Sequence, residues 1–285
     1  MKYYDPENKR LVYIEEKASP DYWDKHWAAG MRKRLRISKK TTYATKISRC
    51  YLNPHTRITR KYLKPEQGPI LEGGCGLGKK VEVLCFCGFQ CIGVDYARET
   101  VKIVNEHIPE LDVRYGDIRK LDFPDDYFAG YWSIGVIEHF WDGYDKIAEE
   151  MKRVIKPGGY LFLSIPYMSL LRKIKAKAGC YVKWANQSTE DFRQFALNHR
   201  NVMDEFSKKG FVLIEKKAQG LLFGLKDEFS FLTPLINGIL RHKDQNFLTK
   251  IFYLILDSLS SLLFGRMFGH MILLVLRKRK KSVSV

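Results

Sequence analysis

The 285-residue chain has no apolar run long enough to cross a bilayer. Its best candidate, residues 251–264, is 14 residues long, carries Asp257 and ends at Gly265-Arg266, whereas a spanning helix needs about 20 apolar residues. The opening residues Met1-Lys2-Tyr3-Tyr4-Asp5-Pro6 contain no apolar core of the kind a secretory leader carries, so none is expected. The six cysteines (50, 75, 85, 87, 91 and 180) include no CxxC pair and no histidine at zinc spacing, which argues against a metal site. Cys85, Cys87 and Cys91 lie among apolar residues and are expected to act as small buried side chains in a reducing cytosol. Internal repeats and low-complexity segments are also missing.

Acidic residues are in short supply: 32 Asp and Glu face 49 Lys and Arg, a net charge of +17. Residues 1–69 alone hold 17 basic and 7 acidic side chains, concentrated in Arg32-Lys33-Arg34-Leu35-Arg36 and Lys39-Lys40. A second basic block is Arg277-Lys278-Arg279-Lys280-Lys281. Such blocks concentrate anionic partners: nucleic acid, acidic lipid headgroups or phosphorylated compounds. They are equally compatible with an ordinary solvated surface.

The most informative stretch is Glu72-Gly73-Gly74-Cys75-Gly76-Leu77-Gly78, which follows the apolar Pro69-Ile70-Leu71 and precedes a helix-like segment. Glycines at alternate positions let the backbone turn tightly and approach a ligand closely. A nucleoside cofactor needs such a floor where a strand meets the next helix. A dinucleotide fingerprint would put its third glycine at position 79, where this chain has Lys79. Cys91-Ile92-Gly93-Val94-Asp95 is a second apolar run ending in an acid, and Val113 to Asp117-Ile118 repeats the pattern. A carboxylate at such a strand end is costly unless hydrogen-bonded, and a ribose diol is a fitting partner for Asp95. Tyr127 to Ser133 reads as a further strand, followed by Gly135-Val136-Ile137-Glu138-His139, and Lys156-Pro157-Gly158-Gly159 opens the next.

From about residue 69 to 167, the order and spacing of these segments resemble the class I S-adenosylmethionine (SAM)-dependent methyltransferases of the small-molecule branch. Glu72, Gly74, Gly76 and Gly78 match motif I, and the GVIEH segment resembles motif IV. The resemblance implies a Rossmann-like α/β fold, a doubly wound seven-stranded sheet whose last strand is an antiparallel edge partner. It implies SAM as cofactor, with no metal. Glu72 would lie under the sulfonium and the methionine ammonium, and the backbone of Gly74–Gly78 would floor the ligand. Asp95, with Tyr96 beside it, would take the ribose, and Asp117 with the amide of Ile118 the adenine. The main chain of Ser133 to Gly135 would meet the methionine end.

A methyl already activated on sulfur needs an aligned nucleophile in a dry pocket and, for an oxygen nucleophile, a base. His139 is the candidate base, although its position also suits a structural role at the loop. His199 is an alternative, and Arg193 or Lys173 would suit an anionic substrate.

The chain divides into a basic helical segment or lid, residues 1–68, and a methyltransferase domain, residues 69–285. In the first, Trp23 and Trp27 share a helical face, either packing on the domain or closing over the cofactor. In the second, the apolar, aromatic residues 220–266 form a helical insertion before the last strand. It either caps the pocket or rests on a membrane interface. Phe192 to Leu197 reads as extended, Asn198 as the cap of a helix ending at Gly210, Phe211–Glu215 as strand six and His270–Leu276 as strand seven.

The expected activity is methyl transfer to a small or a lipid- or glycan-linked acceptor, on oxygen, in the cytoplasm, with peripheral contact to an anionic inner membrane surface. Two alternatives stay open. Methylation of RNA is suggested by the charge but disfavoured by the lack of an NPPY-type motif after the fourth strand. A non-catalytic SAM-binding or membrane-surface scaffold is the other.

Overall fold

A computed structural model describes residues 1–38, 50–51, 53–185, 188–242, 259 and 263–280. Its centre is a seven-stranded sheet in the order β10-β11-β7-β6-β3-β4-β5. The strands are β3 (Ile70–Gly73), β4 (Cys91–Asp95), β5 (Asp112–Tyr115), β6 (Phe128–Ile134), β7 (Ile155–Pro166), β10 (Phe211–Gln219) and β11 (Met271–Lys278). All neighbouring pairs from β5 to β7 are parallel, and β11 runs antiparallel to both β7 and β10. The Rossmann-like α/β fold expected from the sequence is therefore present. One detail differs: β11 is not the edge strand. It lies one place in, and β10 takes the edge. The Met271–Leu276 run is buried almost throughout and has the composition of a strand covered on both faces, which an edge would expose.

The same logic explains β3, β4 and β6, whose residues are buried nearly without exception. Helices α3 (Lys79–Phe86), α4 (Arg98–His107), α5 (Asp145–Val154) and α7 (His199–Lys208) alternate with the strands and cover the two faces. α5 presents Ile147, Ala148, Met151 and Val154 to the core, three and four residues apart. α7 starts where the sequence indicates, the Asn198 carboxamide accepting from Arg200 N at 3.2 Å. Gly210, with φ of 92°, ends the turn that follows it.

The N-terminal segment is not wholly helical, as the sequence reading had it. β1 (Lys2–Asp5) and β2 (Arg10–Ile14) form a hairpin before α1 (Pro20–Ser38) and α2 (Pro54–Tyr62). Its partners are distant in sequence: β8 (Val182–Lys183) joins β1, and β9 (Phe192–Ala196) joins β2, giving a second sheet in the order β8-β1-β2-β9. The sheets meet where Tyr167, just past β7, bridges Leu197. Short strands with long-range partners carry no periodic signature of their own, so the hairpin was missed.

The cysteine expectation also needs correction. Cys50 and Cys87 form a disulfide with Cα atoms 5.6 Å apart, a separation suited to a bridge, joining the stretch ahead of α2 to the end of α3. Cys75, Cys85, Cys91 and Cys180 are free, and Cys180 is exposed.

Of the apolar insertion, α8 (Leu221–Glu228) and α9 (Thr233–His242) are helical, and residues 243–258 lie outside the described residues. The 251–264 run falls mostly there, as do Lys39-Lys40 and Lys281 of the basic blocks. Among the described residues no helix is long and apolar enough to cross a membrane.

Candidate cofactor cleft

The strand order reverses between β3 and β6, so their C-terminal tips diverge and leave a crevice. A cleft opens there, lined by Gly74 after β3, Asp95 and Tyr96 at β4, and Gly116, Asp117 and Ile118 after β5. On the β6 side it is lined by Ile134, Gly135, Val136, His139 and Phe140. Seven of the residues anticipated from the sequence thus meet in one place: Gly74, Asp95, Tyr96, Asp117, Ile118, Gly135 and His139. Glu72, Gly76, Gly78 and Ser133 lie behind this surface rather than on it.

The floor requires glycine. Gly74 and Gly76 have φ of 74° and 48°, a region most side chains avoid. A Cβ on Gly74 would come within 2.5 Å of Val136 Cγ2, and one on Gly76 within 2.8 Å of Trp27. The backbone here is pressed between the β6 loop and α1.

Asp95 has two tasks. Its Oδ2 accepts from Gly76 N at 2.7 Å and its Oδ1 from Ala97 N at 2.9 Å, which ties the glycine loop to the tip of β4. Burial pushes its carboxyl above the usual carboxylate range, and these backbone donors pull the other way. A carboxylate oxygen accepts more than one hydrogen bond, so capacity remains on the cleft side. Asp117 is more engaged than the sequence suggested. Burial raises its carboxyl, but Arg119 outweighs this and holds it low, with Nη2 donating to Oδ2 at 2.6 Å and Nε to Oδ1 at 3.0 Å. The Tyr96 hydroxyl donates to Ala18 O at 3.0 Å, and burial pushes it up to about 12.

Glu72 is buried at the end of β3. Burial holds the Lys80 ammonium below its ordinary value while the Glu72 charge pulls it up, so the two share one field. Lys80 lies 4.6 Å over the Trp132 ring.

His139 ends a 3-10 turn, Ile137–His139, just past β6. Its Nδ1 is 2.7 Å from Arg193 O. A carbonyl can only accept, so Nδ1 carries the hydrogen and Nε2 keeps its lone pair. Burial lowers its pKa to about 4, and the ring is neutral at pH 7. Its neighbour Glu138 escaped the sequence reading as a titrating group. It is buried, its Oε2 has no hydrogen-bond partner, and burial raises its carboxyl to about 8. Only the run of apolar residues before it hinted at that burial. The buried Ser133 Oγ likewise lacks a partner. His199 is not on the cleft.

The roof is α1, so Trp23 and Trp27 both pack on the domain and cover the cleft. They stack 6.1 Å apart, and Trp23 meets His139 edge-on at 4.9 Å. A cap in trans holds the helix down. The residue before α4, Ala97, offers no side-chain cap, and Asp24 of α1 supplies it, accepting from Thr100 N and Oγ1 at 2.7 Å each.

Comparison with known proteins agrees with this geometry. A family model described as a methyltransferase domain matches residues 71–163. A probable S-adenosylmethionine-dependent methyltransferase of Mycolicibacterium smegmatis is 35% identical over 97 residues, covering 34% of this chain and 37% of that protein. A 2-methyl-6-phytyl-1,4-hydroquinone methyltransferase of Synechocystis is 28% identical over 167 residues, 55% of this chain and 46% of that protein. The chain thus spans less than half the length of these relatives. Among solved structures, a chain in the complex between the Haloferax volcanii Trm112 methyltransferase activator and a putative methyltransferase has the same fold, with a TM-score of 0.53 at 15% identity over 90% of this chain and 97% of that one. Motif order, sheet topology and family match together establish that this chain carries a class I methyltransferase domain, whose cofactor is S-adenosylmethionine.

Proposed function

We propose that the chain transfers a methyl group from SAM to a hydroxyl of a small or lipid- or glycan-linked acceptor. The observation that carries this reading is the convergence of the Gly74 floor, the Asp95 and Asp117 acceptors and the Trp23–Trp27 roof on one cleft at the strand-order switch. Its features support the cofactor reading: the floor at Gly74 has no side chain, two carboxylates line the cleft, and its roof is aromatic.

When bound, SAM supplies a methyl already activated by its positive sulfur. The chain's own residues orient and protect. Asp95 would accept from the ribose hydroxyls while keeping its bonds to Gly76 and Ala97. Asp117, sharing its charge with Arg119, would accept from the adenine amine, and the amide of Ile118 would donate beside it. Glu72, buried behind the cleft surface, would add negative charge on the side of the methionine end, and the main chain around Gly74 and Gly135 would hold that end. Trp23 and Trp27 exclude water, which keeps the electrostatic terms strong. His139, neutral with Nε2 unprotonated, takes the proton as an acceptor hydroxyl attacks. Its low pKa makes it a weak base, which suits a proton removed late, when the oxygen has become acidic by bonding to carbon.

The hydroquinone acceptor named for the Synechocystis relative supports a hydroxylated, lipid-like substrate for this chain as well. The test is methyl transfer from labelled SAM to three pools: hydroxylated lipids, soluble metabolites and total RNA. Label in a lipid or small-molecule fraction, lost in His139→Ala, is the expected result; label confined to RNA would overturn the acceptor assignment.

A further inference from the structure

A second cluster lies away from the cleft. His199 lies six positions beyond Arg193, whose carbonyl meets His139, about 20 Å at strand spacing. Around His199 stand Lys173 of α6 (Leu170–Lys177), Arg200 in the first turn of α7, Lys216 of β10 and Arg266, each acting on its imidazole. Tyr167 is the hub. Its ring meets that of His199 edge-on at 5.6 Å, and its hydroxyl donates to Gly265 O at 2.8 Å, next to Arg266. Lys216 shares a strand face with Ala218, which packs on the core cluster that includes Val202 and Phe206 of α7.

Some cations elsewhere on this protein are paired, such as Lys278 with Asp126, Arg153 with Glu150 and Lys209 with Glu149. Among the described residues, none of Lys173, Arg200, Lys216 and Arg266 has a salt bridge or a side-chain hydrogen bond. The His199 Nδ1 is shielded from water and lacks a hydrogen-bond partner. Burial and the four positive charges lower its pKa to about 4, and Lys173 falls below its ordinary value from burial and Arg200. Assembling like charges costs free energy, and an anion would recover it.

The surroundings identify that anion's carrier. Leu170 and Ile174, four apart on α6 with Lys173 between them, are each 49% exposed. Leu263 and Phe264, beside Arg266, are 71% and 52% exposed. Unpaired cations interleaved with exposed large apolar side chains match an interface of acyl chain and phosphate headgroup, and fit a soluble phosphate or a nucleic acid backbone less well. We propose that this face docks on an anionic phospholipid bilayer. Lys173, Arg200, Lys216 and Arg266 engage headgroup phosphates around His199, and Leu170, Ile174, Leu263 and Phe264 enter the interface. This docking is independent of what the cleft methylates.

Flotation of the full chain with phosphatidylcholine vesicles, with and without phosphatidylglycerol, tests it, and calorimetric SAM affinity serves as the folding control. Expected is salt-sensitive retention by the anionic vesicles only. Retention should fall about fivefold for each cation removed in Lys173→Ala, Lys216→Ala and Arg266→Ala, and further in Leu170→Ser with Phe264→Ser, at unchanged SAM affinity. No vesicle retention, equal retention of the cation variants, or retention on single-stranded RNA without retention on vesicles would each overturn the proposal. Competition by inorganic phosphate as strong as by anionic vesicles would assign the cluster to a soluble phosphate and also overturn it.

Discussion

The cofactor half and the layer built around it are held together in opposite ways. Within residues 69–167 each cleft residue stands at the tip of its own strand, placed by parallel pairing and a short loop. In the surrounding layer, the N-terminal hairpin, α6, α8 and the start of β11 are joined by side chains from opposite ends of the chain. The centre of that layer is the fully buried Arg172. It donates to Glu228 Oε1 at 3.0 Å, to Asp227 Oδ2 at 2.7 Å and to Tyr167 O at 2.7 Å. Lys2 and Tyr13 reach the same Asp227, and Lys175 and Tyr181 the same Glu228. Local geometry builds the cleft; long-range charge pairing fastens the rest to it.

The sharpest way to break this contrast is Arg172→Ala. It leaves Asp227 and Glu228 partly uncompensated in the interior, and such losses cost about 3–5 kcal/mol. Urea unfolding should show a cost of that size, and one below about 1 kcal/mol would mean that the layer is held by packing alone. SAM affinity under native conditions should change far less, because the cleft does not use this network.

A second test uses pH. Burial lowers the pKa of His55 to about 3 and of His139, His199 and His270 to about 4. In the unfolded chain each titrates near 6.5. Between those values the unfolded state binds more protons, so the histidines' contribution is full above about pH 6.5 and drops as pH falls toward 4, while the Glu138 carboxyl, raised to about 8, adds a smaller slope of opposite sign between about pH 4.5 and 8. Each group contributes at most about 1.4 kcal/mol per pH unit. Thermal unfolding across this window should show the loss, and His55→Phe, in α2 beside Trp132, should lessen it by that one group's share. A flat profile in the wild-type chain would contradict the burial assigned to these rings.

The smallest expected effect is at the join between the two regions. Asp24→Ala removes the trans cap of α4 and should cost about 1 kcal/mol of stability. It should also weaken SAM binding, since α1 roofs the cleft. Stability lost with SAM affinity intact would show that α1 does not act as the cover.

Legibility in the sequence follows the same division. The glycine loop and the places of Asp95 and Asp117 at strand ends were readable because each sits within a few residues of a strand signal, and Asn198 because a cap acts locally. The hairpin β1–β2 was not, since its pairing to β8 and β9 depends on residues almost two hundred positions away. The place of β11 inside the sheet was likewise invisible, because hydropathy shows that a strand is buried but not which strands flank it. Neither the Cys50–Cys87 bridge nor the Arg119 clasp on Asp117 follows from spacing, as each depends on where side chains finish in space. His199 was read as a possible base from its position, and the fold surrounds it with cations instead.

The central claim is that the cleft at the β3–β6 divergence holds SAM through Asp95. Calorimetric titration of SAM into the wild-type chain and Asp95→Ala tests it most directly. One cofactor should bind the wild type, and the variant should bind about 1–3 kcal/mol more weakly, the cost of losing charge-assisted hydrogen bonds. Equal affinities, or no heat from the wild type at millimolar SAM, would contradict it.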